Sequence, residues 1–159
     1  MRAKRFREGE SSMILPIALT IAAAAALINI WLAFRVSSLR RALKINVGDG
    51  GDERVLRRMR AHANFAENMP IALILIGLVE LATGDSLYLW GASVAFILAR
   101  ILHAFGMDRR GANPLRGIGV VLSWAILVVL ALWAATIAYR SPPLHSSLEA
   151  TSIRAPAPR

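Results

Sequence analysis

The chain has 159 residues, is 56% hydrophobic and carries a formal net charge of +9. Its mean hydropathy of +0.51 is typical of an integral membrane protein and argues against a soluble domain built around a single core. The sequence contains no cysteine, which excludes disulfides, thiolate metal sites and a protein thiol nucleophile. The histidines are too scattered to predict a metal site. Nucleic acid is not an expected partner, because the basic residues lie beside apolar segments, as membrane flanks do.

Four apolar segments predict an all-α integral membrane protein with a bundle of four transmembrane helices. In chain order they cover residues 13–34, about 70–83, about 87–107 and about 117–139. Three of them meet the requirement of roughly 20 residues for crossing the hydrocarbon. The second meets it only if the polar stretch from Arg60 belongs to the same helix, and we predict that it does. The short link at 84–86 makes the second and third helices antiparallel neighbours.

The predicted membrane domain covers residues 13–139, and the segments on either side of it are polar. Residues 1–12 form an N-terminal tail with four cations, and Met13 is an alternative start of translation that would leave this tail out. Residues 140–159 are rich in proline and serine, which predicts a disordered C-terminal tail.

The distribution of cations predicts the orientation. Eight cations separate the first two apolar segments, three separate the last two, and the link 84–86 has none. Because basic loops stay in the cytoplasm, both basic loops are predicted to be cytoplasmic and both termini periplasmic. The cations of the tail 1–12 oppose this orientation unless translation starts at Met13.

Polar residues cluster on one side of the second helix where it enters the membrane. At about 100° per residue, Arg60, Asn64 and Glu67 fall within an arc of roughly 100°, together with Arg57 and Asn68. Such groups cost free energy in a membrane unless they have a partner or a task. This combination suits an anionic or zwitterionic ligand, and the alternative is a structural network between helices.

The third helix carries a second polar stripe that includes Arg100, His103 and Met107. Counted from the 84–86 link, Glu67 lies about 17 residues, or roughly 25 Å, along one helix, and Arg100 lies about 15 residues, or roughly 22 Å, along the next. The similar depth predicts an ion pair between Glu67 and Arg100. By contrast, Arg57 and Arg58 are interpreted as ordinary flanking charges, and Glu80 as an interfacial residue with no special role.

The run Arg60-Ala-His-Ala-Asn64-Phe-Ala-Glu67-Asn-Met-Pro70 resembles the signature of the MAPEG superfamily, the membrane-associated proteins in eicosanoid and glutathione metabolism. The stretch from Ala99 to Gly106 resembles the small bacterial inner-membrane branch of that superfamily. The resemblance implies a homotrimer of four-helix protomers in the bacterial inner membrane, with glutathione held between protomers near the cytoplasmic face.

The resemblance also implies roles for individual residues. Arg60, Asn64 and Glu67 would be the main glutathione contacts, and Arg40 or Arg41 would extend into the site from the end of the first helix. Arg116, with Arg109 in reserve, is the arginine expected to activate the thiol. The expected site also includes Arg100, as a structural partner of Glu67 rather than a ligand contact, and His103, as either a ligand contact or an interhelical hydrogen-bond partner.

The expected function is that of a glutathione-dependent transferase or peroxidase acting on lipophilic electrophiles or hydroperoxides. The alternative is a non-enzymatic membrane protein of the same fold that binds lipids or small molecules. It is favoured by Asn68, His103 and Met107, which stand where glutathione-using members have aromatic hydroxyls. A small transporter fits less well, because the polar residues gather at one boundary of the membrane rather than at its midplane.

Overall fold

The computed structural model describes residues 14–111 and 113–141. They form four helices: α1 (Pro16–Leu43), α2 (Glu53–Thr83), α3 (Leu87–Asp108) and α4 (Pro114–Arg140). Each helix is long and apolar enough to cross a membrane, which confirms the prediction of an all-α protein with four transmembrane helices. The predicted N-terminal tail, the proposed start at Met13 and the C-terminal tail from residue 142 onward lie outside the described residues.

Helix α2 is continuous from Glu53 to Thr83, which confirms that the polar stretch and the short apolar segment are one helix. Asp52 caps its N-terminus and accepts hydrogen bonds from the backbone N–H groups of Arg54 and Val55. The Arg54 side chain, hydrogen-bonded to Asp52, holds the pKa of this carboxyl well below its usual range. The cap therefore remains ionised at neutral pH and complements the positive end of the helix dipole.

Helix α1 is longer than the apolar segment predicts. It begins at Pro16 and continues to Leu43, so Arg35, Arg40 and Arg41 are all helical. A positive φ of 56° at Lys44 ends the helix, and the Ile45 N–H donates to the Arg40 carbonyl at 2.9 Å. The basic last turns of the helix therefore extend beyond the length needed to cross the hydrocarbon.

Apolar side chains from all four helices form one core, and two glycines bring α3 and α4 close together. A Cβ atom on Gly119 would lie 2.7 Å from the Ala99 carbonyl oxygen, and one on Gly106 would lie 2.4 Å from the Arg116 backbone nitrogen. Since real Cβ atoms do not approach so closely, these positions require glycine. Small residues are a common means of close helix packing in membranes.

The end of the bundle where α1 and α3 finish and α2 and α4 begin is called the basic end below. There, Asp108 of α3 forms an ion pair with Arg35 of α1 and lies 3.6 Å from the Nε atom of Arg58 of α2. Arg58 also donates to the Arg35 carbonyl at 2.9 Å. The interpretation of Arg58 as an ordinary flanking charge was therefore wrong, because its side chain joins three helices.

At the opposite end, Glu80 of α2 caps α1. Its two carboxylate oxygens accept hydrogen bonds from the backbone N–H groups of Ile17 and Ala18, each at 2.8 Å. The α1 N-terminus has no cap from its own chain neighbours, and Glu80 is only 2% exposed. The interpretation of Glu80 as an interfacial residue without a role was wrong, since it satisfies two helix N–H groups that would otherwise be unpaired.

Candidate functional site

A cavity of about 360 Å³ opens between α2, α3 and α4 near the basic end. Its size lies toward the lower end of the range of roughly 300–1,000 Å³ that is usual for small-molecule sites. The residues that line it are Arg60, Asn64 and Glu67 of α2, His103 and Met107 of α3, and Arg116 of α4. The polar stripes of α2 and α3 thus face one another, as their periodicity predicts.

Helix α2 presents three of these residues at positions i, i+4 and i+7, which share one face of a helix. Within the described parts of the chain, the side chains of Arg60 and Glu67 form no hydrogen bond or ion pair with protein. Both are exposed on the single protomer. Two opposite charges at the membrane boundary are therefore available to a ligand.

Arg100 does not pair with Glu67. Its guanidinium donates to the Asn64 side-chain oxygen and, at 3.1 Å, to the Ser123 hydroxyl of α4. The predicted Glu67–Arg100 ion pair was wrong, although the two helices are neighbours and the estimated depths are similar. Arg100 is 2% exposed and lies behind the cavity rather than in its lining, so it supports the site through Asn64.

The contact with Arg100 also fixes the orientation of the Asn64 amide. A guanidinium can only donate hydrogen bonds, so the amide oxygen must point toward Arg100. The Asn64 amide nitrogen is then the group that is free for other partners. At the cavity wall Asn64 therefore supplies a hydrogen-bond donor, which suits a carboxylate or carbonyl oxygen of a ligand.

Helix α4 places Arg116 in the cavity through its close contact with α3. The absence of a side chain at Gly106 allows the Arg116 backbone to approach α3. The His103 ring nitrogen Nδ1 lies 3.4 Å from the Arg116 carbonyl oxygen, and His103 is 5% exposed. His103 is thus both a buried contact between helices and a part of the cavity wall.

Three arginines that the sequence assigned to the site lie elsewhere in the protomer. Arg40 and Arg41 line a separate cleft at the end of α1, and the Arg40 Nε atom donates to the Gly48 carbonyl at 2.9 Å. Arg109 is exposed just after α3 and does not line the cavity. Of the two arginines considered for thiol activation, the structure brings only Arg116 to the cavity.

Three residues that contribute to the site were not assigned to it from the sequence. Ser123 holds Arg100 and also donates to the Gly119 carbonyl at 2.6 Å. Gly106 and Gly119 set the spacing of α3 and α4. The signal available in the sequence is the pair of small residues Gly119 and Ser123, four positions apart on an otherwise apolar helix.

The charges of the cavity favour an anionic or zwitterionic ligand. Two guanidinium groups, from Arg60 and Arg116, line the cavity together with one carboxylate, from Glu67. Guanidinium groups bind carboxylates through two parallel hydrogen bonds, and the single carboxylate can accept from an ammonium group. An arginine close to a bound thiol would also favour its ionised form.

Comparison with known proteins identifies the family. The family model for MAPEG matches residues 18–136, which is well over half of the chain and covers all the residues that line the cavity. The chain belongs to the MAPEG family. The similarity thus confirms the resemblance that the α2 motif indicated.

Two curated relatives are similar to this MAPEG chain. Both are named inner membrane protein YecN, one from Escherichia coli K12 and one from Escherichia coli O6:H1 strain CFT073. Each is 26% identical over 107 residues, which cover 67% of this chain and 81% of the relative. The four membrane-spanning helices and the family match together establish a multi-pass membrane protein of the MAPEG family.

Proposed function

We propose that this protein binds glutathione in the cavity between α2, α3 and α4 and transfers its thiolate to lipophilic electrophiles or uses it to reduce hydroperoxides. The observation that carries the proposal is the convergence of Arg60, Glu67 and Arg116 on one cavity, where none of these side chains has a protein partner in the described ranges. These groups match the carboxylates, the ammonium group and the thiol of glutathione.

In this assignment, Arg60 binds a glutathione carboxylate and Glu67 accepts from the ammonium group. The Asn64 amide nitrogen donates to a further ligand oxygen, since its oxygen is occupied by Arg100. Arg116 stabilises the thiolate, whose pKa a nearby guanidinium lowers from about 8.5. The thiolate then forms a bond to the electrophilic carbon as the leaving group departs, so the protein itself supplies no nucleophile.

The exposure of the site leads to further proposals on the assembly and location of the protein. Arg60, Glu67 and Arg116 are exposed on the single protomer, and a second copy would enclose them. We therefore propose a homotrimer with glutathione between protomers, as the family resemblance implies. We propose an inner-membrane location because the relatives are named as inner membrane proteins. In this location both basic loops would lie in the cytoplasm. The apolar second substrate would enter the site from the bilayer.

Binding is tested by the thermal transition of the detergent-solubilised protein with and without glutathione. A ligand that binds only the folded state stabilises it by about 2.7 kcal/mol at a concentration of 100 times Kd. We expect a rise in the wild type that is lost in Arg60→Ala/Glu67→Gln. The matched control is Glu53→Gln/Arg54→Ala, which removes the same two charge types from the start of α2, outside the cavity. An equal loss of the shift in the control would contradict the assignment.

Catalysis is tested separately with an aryl halide as the electrophile. We expect Arg116→Ala to retain the glutathione-induced shift and to lose turnover, most strongly near neutral pH, where a free thiol is mostly protonated. Turnover that is unchanged in Arg116→Ala would refute the role of this arginine.

The second candidate function is non-enzymatic binding of a small anionic or zwitterionic molecule or lipid in the same cavity. The observation that favours it is the cavity lining, in which Met107 and His103 provide no hydroxyl group next to the proposed thiol position. A glutathione-induced shift without turnover toward electrophiles or hydroperoxides would favour this function over the first.

A further inference from the structure

A cation is buried without a counter-charge directly behind the proposed glutathione site. Arg100 of α3 is only 2% exposed, and no carboxylate of residues 14–111 or 113–141 forms an ion pair with it. We propose that Arg100 is a positioning residue whose positive charge makes the cavity prefer the thiolate form of glutathione over the thiol form. This inference rests on the proposed function, because it concerns the charge state of the same ligand.

The hydrogen-bond partners of Arg100 are neutral. One of its nitrogens donates to the Asn64 side-chain oxygen of α2, and another donates to the Ser123 hydroxyl of α4 at 3.1 Å. Its Nε atom is buried and has no partner among the described residues. These hydrogen bonds join three helices, but a neutral donor such as an amide could also make them. The packing of the helices therefore does not require the positive charge.

Arg100 lies well inside the membrane-spanning part of α3. It precedes Asp108, which forms the ion pair at the basic end, by eight residues, or about 12 Å. At this depth a charge without a counter-ion costs free energy, and ionisable residues inside a membrane usually mark functional sites. An anion in the adjoining cavity would lower this cost. Binding of an anionic ligand and the charge of Arg100 thus stabilise each other.

Arg100 acts on the cavity from its membrane side. Ser123, which accepts from the guanidinium, lies seven residues, or about 10 Å, further into the membrane along α4 than Arg116. In the proposed function the second substrate arrives from the bilayer, so the reacting sulfur has to lie toward this side. The Asn64 amide extends the effect, because accepting from Arg100 makes its own N–H group a stronger donor to the ligand.

The other charged groups of the cavity lie on α2 and α4. Arg60 and Arg116 contribute two cations, and Glu67 contributes one anion. His103 is the remaining titratable group of the lining, and its Nδ1 atom lies 3.4 Å from the Arg116 carbonyl oxygen. Arg100 adds one positive unit to this balance, and ionisation of the thiol adds one negative unit to glutathione. At roughly 12 Å and an effective dielectric constant of about 20, such a pair of charges changes an equilibrium about tenfold.

The test compares two glutathione derivatives that differ in charge at the sulfur position. Glutathione sulfonate has a fixed negative charge there, and S-methylglutathione has none. Their dissociation constants are measured by calorimetry with the full-length protein in detergent. We expect the wild type to prefer the sulfonate and this preference to fall about tenfold in Arg100→Gln. The charge-retaining variant Arg100→Lys should keep the preference.

The matched control is Arg58→Gln, which removes another arginine that joins helices but does not line the cavity. It should keep the preference of the wild type. A purely structural role of Arg100 would weaken the binding of both derivatives equally. An unchanged preference in Arg100→Gln, or an equal fall in the control, would therefore overturn the proposal.

Two further measurements keep the test decisive. Arg100→Met is also neutral and replaces Arg100→Gln if that variant does not fold. In the wild type, bound glutathione should show the ultraviolet absorbance of a thiolate at neutral pH, and absence of this absorbance would overturn the proposal. Binding of both derivatives without any preference would refute this inference alone, whereas binding of neither derivative would refute the proposed function and this inference with it.

Discussion

The two hydrogen bonds from the start of α1 to Glu80 predict a large loss of stability when this carboxylate is removed. Glu80→Ala leaves the Ile17 and Ala18 N–H groups without their acceptor at a buried helix end. Glu80→Gln keeps one acceptor oxygen but brings an amide N–H toward a backbone N–H. We therefore expect the stability order wild type, then Glu80→Gln, then Glu80→Ala.

The magnitude follows from the two bonds. A hydrogen bond to a charged group contributes about 1.5–3 kcal/mol, and a carboxylate at a helix N-terminus gains a further 0.3–1 kcal/mol or so from the helix dipole. Allowing for partial replacement by water, we expect a loss of about 3 kcal/mol in Glu80→Ala, and of about half as much in Glu80→Gln. These values refer to the free energy of unfolding.

The assay is equilibrium unfolding in mixed micelles by titration with dodecyl sulfate, followed by circular dichroism. The control is Glu53→Gln, which removes a carboxylate of the same helix whose side chain is 73% exposed and pairs with Arg57. Such a pair contributes roughly 0.2–0.5 kcal/mol. If Glu80→Ala were no more destabilising than Glu53→Gln, the reasoning that a cap from α2 stabilises α1 would be refuted.

Two further substitutions test how α3 is held at the basic end. Gly106→Ala should lower the free energy of unfolding by about 1–3 kcal/mol and weaken the glutathione-induced thermal shift, because the added Cβ would lie 2.4 Å from the Arg116 backbone nitrogen. The control is Gly91→Ala in the same helix, where no atom lies within 4 Å of the added Cβ. This control should change neither the stability nor the thermal shift. An undiminished shift in Gly106→Ala would contradict this link. Asp108→Asn should lower the free energy of unfolding by about 1 kcal/mol, because it removes the ion pair with Arg35. This loss should shrink in high salt, and a loss independent of salt in the same unfolding titration would count against an electrostatic origin.

The sequence predicted the helices and the faces of the site well, because both depend on local patterns. The continuity of α2 through Arg60 followed from the length that a membrane crossing needs. The meeting of the Glu67 and His103 faces followed from helical periodicity and the short link between α2 and α3. These relations require only the spacing of residues along one helix or two adjacent helices.

Other predictions failed because they depend on the rotation and end-to-end contacts of helices. Depth along the membrane placed Glu67 and Arg100 at similar levels, but the rotation of α3 directs Arg100 to Asn64 and to Ser123 of α4. Likewise, the role of Glu80 depends on a contact with residues 62 and 63 positions away. Neither hydropathy nor periodicity contains this information.

The unequal lengths of the helices have a consequence for access to the cavity. From the level of Asp108, α1 continues for eight residues beyond Arg35, about 12 Å, and α2 begins five residues before Arg58, about 8 Å. The hairpin of α1 and α2 therefore extends beyond the end of α3. Arg60 lies two residues beyond Arg58, just below this hairpin. In the proposed function, glutathione would reach Arg60 from the aqueous side of the hairpin, and the apolar second substrate would reach the cavity from the lipid below it.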